Sequence, residues 1–252
     1  MKTLIPASML ALGLAAAAHA APVNGTGNVT PDVIFGAGNA NGSFTGQTAN
    51  NIEVGLRAKQ RFPADNIFNY DGVDTYTFDS TVLTTNPTNR SVFNFEFSIN
   101  VDQDDLSGST LSDFSYALSV DQDPGILASF VTVDPFNTFG FFDHALGTNA
   151  TANGGGISSS DNPDLITNMT IYSVAQNSQN LGFGWAPDPD APGTYDFRLQ
   201  VFAFSTSDVL AESSMRVIVS PVPPPVPVPA ALPLLASALA LVGFMTRRRR
   251  AA

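Results

Sequence analysis

The chain of 252 residues carries 22 acidic against 11 basic side chains, a formal charge of −11 that disfavours nucleic acid and anionic surfaces as partners. It has no cysteine and 2 histidines, which excludes disulfides, thiolate catalysis, cysteine-based metal sites and a multi-histidine zinc centre. Any folded part is therefore expected to be stable through its core alone.

Lys2 precedes an apolar run from Leu4 to Ala18, and Ala18-His19-Ala20 has the small-x-small form that signal peptidase cleaves. Residues 1–20 read as a secretory signal peptide, with a mature chain starting at Ala21. The alternative is an uncleaved anchor. Residues 21–220 then make one exported domain, which holds all 22 acidic residues and 6 of the basic ones, a charge of −16, with His144 as its remaining histidine.

Residues 22–50 are rich in Gly, Asn and Thr, and read as a loose leader contributing one strand near Val33-Ile34-Phe35. From Ile52 the pattern alternates. Ile52, Val54, Leu56 and Ala58 fall on one face of a predicted half-buried strand, and Glu53, Arg57 and Lys59 on the other. The next strand signals are Tyr76 with Phe78, and then the clearest one, Phe93, Phe95, Phe97, Ile99 and Val101. Phe114 to Val120, Met169 to Val174, and Tyr195 to Ala203 also alternate. No helix-period run stands between the terminal segments. Turn clusters such as Asp71-Gly72, Asp123-Pro124-Gly125 and Pro187 to Asp190 separate the strands, as an antiparallel β-sandwich requires.

After Ser220 come Pro221 to Pro229, read as an extended polyproline-type spacer. At about 3.1 Å per residue it sets the domain roughly 25 to 30 Å away from the apolar segment on its C-terminal side. That segment, from about 230 to 246, is near the lower length limit of a transmembrane helix, about 17 to 25 residues. Pro233 is tolerated in its first turn. Arg247, Arg248, Arg249 and Arg250 act as a stop-transfer cluster, because each arginine costs roughly 2.5 to 3.5 kcal/mol at the bilayer centre. The positive-inside rule keeps that cluster cytoplasmic and the domain outside.

Val226, Pro227, Val228, Pro229 and Ala230, followed by the apolar segment and the arginines, closely resemble the PEP-CTERM family of bacterial sorting signals. The match is to the variant with the consensus Val-Pro-Leu-Pro-Ala, and Val228 stands where that variant usually has Leu and the parent family Glu. The resemblance covers the tail, residues 226–252. It implies a Gram-negative origin, export by the general secretion machinery, and removal of the tail by an exosortase at the outer face of the membrane. It also implies an association with exopolysaccharide and biofilm. An ordinary anchor that is never cleaved is the alternative. Asn51 to Phe62, Asn66 to Phe78 and Phe95 to Asp102 are similar to a recurring set of short PEP-CTERM proteins, and no activity comes with that similarity. Separately, Pro192 to Val201 followed by Met215 to Val219 resembles the last two strands of immunoglobulin-like surface domains. That match implies a corner hydrogen bond from Tyr195; a jelly roll remains the other sandwich.

Chemistry-bearing residues are few. Asp102, Asp104 and Asp105 ahead of Gly108 resemble the start of a calcium loop, although no Glu stands at the twelfth position. A solvated acidic turn is the other reading. Asp71 with Asp74, Asp121 with Asp123, and Asp188 with Asp190 are weaker candidates of the same kind. A catalytic triad would have to use His144, which otherwise reads as a loop or strand-end histidine with a local partner. Glu53 and Glu96 sit opposite apolar faces and are expected to be exposed. Trp185 and Tyr70 either stack on sugars from loops or pack internally. The expectation is a non-enzymatic, all-β exported protein with a structural or adhesive role at the cell surface or in the extracellular matrix. The alternative is a calcium-dependent carbohydrate-binding module.

Overall fold

The computed structural model describes residues 27–34, 39–60, 66–82, 90–125, 127–137 and 142–221. The predicted signal peptide (1–20), the sorting motif, the apolar segment 230–246 and Arg247–Arg250 lie outside the described residues. Among the described residues no helix is long and apolar enough to cross a membrane.

The strands in chain order are β1 (Thr45–Ala49), β2 (Ile52–Lys59), β3 (Thr75–Asp79), β4 (Asn94–Asn100) and β5 (Phe114–Asp121). They continue with β6 (Phe130–Val133), β7 (Ala145–Gly147), β8 (Val174–Asn180), β9 (Gly193–Ala203) and β10 (Val209–Ser220). One sheet has the order β1-β2-β4-β8-β7 and the other β3-β10-β9-β5-β6. All pairings are antiparallel except β3 with β10, which is parallel.

The two sheets form a β-sandwich whose core follows from the alternation. Phe95, Phe97 and Ile99 of β4 face Tyr195, Phe197, Leu199 and Val201 of β9, all at most 1% exposed. Phe197 packs against Phe95 at 5.0 Å and edge-on against Phe93 at 6.2 Å between ring centroids. Such aromatic pairs add to the area term. The β9–β10 pair runs as expected, with Tyr195 opposite Val217, and the Tyr195 hydroxyl donates to the carbonyl of Ala191 at 2.7 Å.

Three expectations need correction. A helix, α1 (Asn162–Met169), stands where none was expected; Asp161 caps it by accepting from the Asp164 N–H, and a proline occupies its first turn. It is short and buries Leu165, so it leaves no helical period to read. Met169 to Val174 is accordingly not a strand, and the chain joins the sheet from Val174 onward, through a run of Gln, Asn and Ser. The third correction is β2, which is buried along both faces rather than one.

The cover on its second face is the leader. Val29, Val33 and Ile34 are buried without forming a named strand, and Phe35 lies outside the described residues. Gly55 admits this close approach: a Cβ there would meet Val29 Cγ1 at 3.1 Å and Phe44 Cδ1 at 3.2 Å. Residues 27–34 and 39–44 thus lie as a strap across the outer face of β2, β4 and β8.

The sandwich has two distinct ends. The β1–β2 turn, the loop 101–113 and the β9–β10 turn share one, tied by Asn51 Nδ2 donating to Asp102 Oδ1 at 3.1 Å and Asn50 Nδ2 to the Leu210 carbonyl at 2.8 Å. Ser220, the end of β10, lies at the other.

Candidate functional site

The acidic loop closes on its own donors. Asp102 is buried, and its carboxylate accepts from the Ser107 N–H (3.0 Å), the Ser107 hydroxyl (2.7 Å), the Gly108 N–H (2.9 Å) and Asn51 Nδ2 (3.1 Å). Burial pushes its pKa up, and these bonds outweigh burial and hold it below the ordinary carboxylate value. Asp104 accepts from the Leu106 N–H at 3.1 Å, and Asp105 takes a left-handed backbone at φ 57°. Among the described residues no group of three or more Asp, Glu or His side chains is gathered where one ion would reach them all. Within the loop, these hydrogen bonds fix the Asp102 carboxylate.

His144 stands just before β7, 1% exposed, between the rings of Phe97 (5.7 Å) and Phe136 (5.1 Å). Nε2 lies 3.1 Å from the Pro135 carbonyl, which can only accept, so Nε2 carries the proton and Nδ1 accepts from Asn177 Nδ2 at 3.0 Å. With both nitrogens engaged and the ring buried, it is a packed strand-end residue with local partners. Trp185 is also internal, 5% exposed and edge-on to Phe95 at 5.6 Å. Tyr70 stacks on Tyr76 at 4.7 Å and gives its hydroxyl to the Val73 carbonyl at 2.9 Å.

The expectation for Glu53 and Glu96 fails, and the failure exposes the least ordinary chemistry in the molecule. Cross-strand partners share a face, so Arg57, Glu96 and Ser178 line up across β2, β4 and β8 beneath the strap. Glu96 receives Arg57 Nε at 2.5 Å and Lys59 Nζ at 2.5 Å, with all three side chains at most 1% exposed. Burial alone would push the Glu96 pKa up; Arg57 and Lys59 overcome it and hold the carboxylate ionised. Arg57 Nη1 also donates to the carbonyls of Ala40 (2.7 Å) and Gly42 (2.8 Å), and Lys59 Nζ to Asn39 Oδ1 (2.6 Å). Further along, Gln176 Oε1 accepts from the N–H groups of Val33 (2.8 Å) and Ile34 (3.1 Å), while its amide donates to the Pro31 carbonyl (2.8 Å). Glu53 accepts from the Thr30 N–H at 2.7 Å, and Asn100 Nδ2 donates to the Thr30 carbonyl at 2.6 Å. Side chains here do what a neighbouring strand would do with its backbone. Asp32 and Glu53 both have pKa values raised chiefly by burial, with Arg57 opposing the shift at Asp32.

The outer face of the second sheet is open. Arg216 clasps Asp196 with two bonds, at 2.8 and 3.0 Å, and Ser119 bonds Thr132 across β5 and β6 at 2.8 Å. Two shallow cavities of about 340 and 360 Å³ share Asp196 and Arg216, the first walled by Asp74 and Phe130 and the second by Pro124 and Gly125. Their linings are mostly polar. No protein-family model matches this chain, and no curated protein matches it.

Proposed function

We propose that this chain is an exported, non-enzymatic surface or matrix protein with a structural or adhesive role linked to exopolysaccharide, delivered by an exosortase-type tail. The observation that carries the reading is the order of sorting motif, apolar segment and arginine cluster from Val226 to Arg250. The route would be general secretion, signal peptidase cleavage after Ala20, transient anchoring with the domain outside, and tail removal by an exosortase. Two features support it: β10 ends at Ser220, next to the spacer, and the buried charges are spent on holding the strap rather than lining a cleft. Intact mass spectrometry of the protein released by a host with the cognate exosortase tests it. The mature form should begin at Ala21 and lack everything beyond the Pro-rich spacer. Recovery of Arg247–Arg250 on that form would reduce the tail to a plain anchor.

Within the sandwich class the immunoglobulin-like reading is the better supported. The order β3-β10-β9-β5-β6 over β2-β4-β8-β7 supports a variable-type pair of sheets, with β1 as an added edge strand. The bond from Tyr195 to Ala191, near the start of β9, matches the tyrosine corner of that fold.

A further inference from the structure

Three of the four sheet edges are closed by specific bonds. At β7, Leu146 and Ile157 exchange both backbone bonds, at 2.8 and 3.0 Å. At β3, the Thr77 N–H reaches the Asn69 carbonyl at 3.2 Å and Asn69 Nδ2 returns to the Thr77 carbonyl at 3.0 Å. At β1, the Ser213 hydroxyl donates to the Thr45 carbonyl at 2.8 Å, and Gln47 Oε1 accepts from the Glu212 N–H at 2.8 Å. The fourth edge, β6, has no such partner on its free side among the described residues. Nor does it carry the usual protection of a lysine, a proline or a bulge: it reads Phe-Val-Thr-Val, with Phe130 46% exposed.

The phase of the ladder says which groups are on offer. Gln122 donates to the Ser129 carbonyl at 2.9 Å, and the register pairs Val131 with Val120 and Val133 with Leu118. In an antiparallel ladder hydrogen-bonded pairs alternate with non-bonded ones, so Val131 and Val133 turn their backbone groups to β5. Phe130 and Thr132 turn theirs outward.

We propose that β6 is a strand-addition site for a second copy of this chain, pairing antiparallel to its own counterpart about a two-fold axis through Val131. Among the two-fold registers that set outward groups against outward groups, this one pairs both outward residues of β6 within the strand itself: Phe130 faces Thr132 of the other copy on both sides of the axis, which makes four backbone bonds. Asp134 then lies opposite Ala128 of the other copy, and Phe130 meets its counterpart diagonally, within reach of an aromatic ring. A four-residue strip free of charge is where two domains of this acidity can meet without opposing carboxylates. The result is one sheet continuous across two sandwiches, independent of whether the tail is processed.

The absence of cysteine makes the test direct. Val131→Cys places two thiols in a non-bonded pair, whose Cα separation of about 4.5 Å suits a disulfide. Thr132→Cys places them beyond the limit of about 7 Å. In the full chain, dilute in detergent micelles under mild oxidation, Val131→Cys should give a crosslinked dimer as the main species. Thr132→Cys and a distant control, Thr206→Cys, should give little. Adding Thr132→Pro to Val131→Cys removes an outward N–H without touching the β5 ladder, and should abolish the crosslink; Phe130→Lys serves the same purpose if the proline variant misfolds. Equal crosslinking at Thr132 or Thr206, no crosslink at Val131, or a crosslink that survives both edge substitutions would overturn the proposal, the last assigning association to the tail.

Discussion

Glu96→Gln is the sharpest perturbation of the charged layer. The substitution keeps the shape of the side chain and removes its charge, so Arg57 Nε and Lys59 Nζ, each now 2.5 Å from a carboxylate oxygen, would face a neutral amide whose nitrogen can only donate. Removing one partner of a buried ion pair costs about 3 to 5 kcal/mol, because the charge left behind is neither hydrated nor compensated. For a domain of roughly 200 residues each kcal/mol moves Tm by about 2 to 4 °C, so melting should fall by about 6 to 20 °C. Differential scanning calorimetry reads that shift, and limited proteolysis reads the strap. The combination Arg57→Met, Lys59→Met and Glu96→Met should melt well above the single variant, since it buries no charge, yet its strap should be cut faster because the bonds to Ala40, Gly42 and Asn39 are gone. A loss under about 1 kcal/mol for Glu96→Gln, the range of exposed pairs, would show that water reaches the triad and would refute the reasoning.

Other expectations concern the strap and its surroundings. Asp32 and Glu53 have raised pKa values, so the folded chain keeps protons that the unfolded chain has lost. Their contribution is fully present below the unfolded carboxyl value and declines as pH rises through the folded one. Denaturant unfolding between about pH 4 and pH 8 should show Asp32→Asn gaining on the native chain as pH rises, and a constant difference would contradict the assignment. Gly193→Ala should destabilise by about 1 to 3 kcal/mol, because its Cβ would stand 2.3 Å from the Pro124 carbonyl oxygen, and faster amide exchange in the 123–125 turn should accompany the loss.

What the sequence discloses of this fold is its apolar alternation. β4, β5 and β9 are legible because each sends a row of large apolar side chains inward and a polar row outward. The Tyr195 bond is expected from the resemblance of Pro192 to Val201 to the penultimate strand of immunoglobulin-like domains, and it is present. β8 is not, because its sequence of Gln, Asn and Ser looks like a loop, and it is a strand only by virtue of β4, β7 and the strap beside it. The buried face of β2 is hidden for the same reason: Glu53, Arg57 and Lys59 read as a solvent face until residues 27–34 and 39–44 are laid over them. Gly55 was the available signal, an interior strand glycine marking a close approach, here by the side chains of Val29 and Phe44. The acidic loop shows the converse, since carboxylates at calcium-like spacing serve equally well to cap a turn, and the choice depends on donors such as Asn51 that are remote in sequence.

The polar layer also dictates an order of assembly. Gln176 grips Pro31, Val33 and Ile34 across sequence separations of 145, 143 and 142 residues, so that segment of the strap lacks these bonds until β8 is in place, whereas Glu53, Arg57 and Lys59 of β2 can hold the rest of it earlier. The other end of the chain is bound as tightly to closure: Ser213 bonds Thr45 over a separation of 168 residues, and β10 supplies the parallel neighbour of β3. Contacts of such range form late, because loop closure must be met before they contribute. On the proposed secretion route residues 31–34, among the first outside the membrane, therefore gain their grip on β8 late, and the sandwich cannot close until Ser220 has emerged. A tail held in the bilayer from about residue 230 would pin β10 against the membrane unless something separated them. With Pro221 to Pro229 read from the sequence as an extended polyproline-type spacer, about 3.1 Å per residue would give β10 the clearance to pair with β3 and β9 while the tail is still anchored.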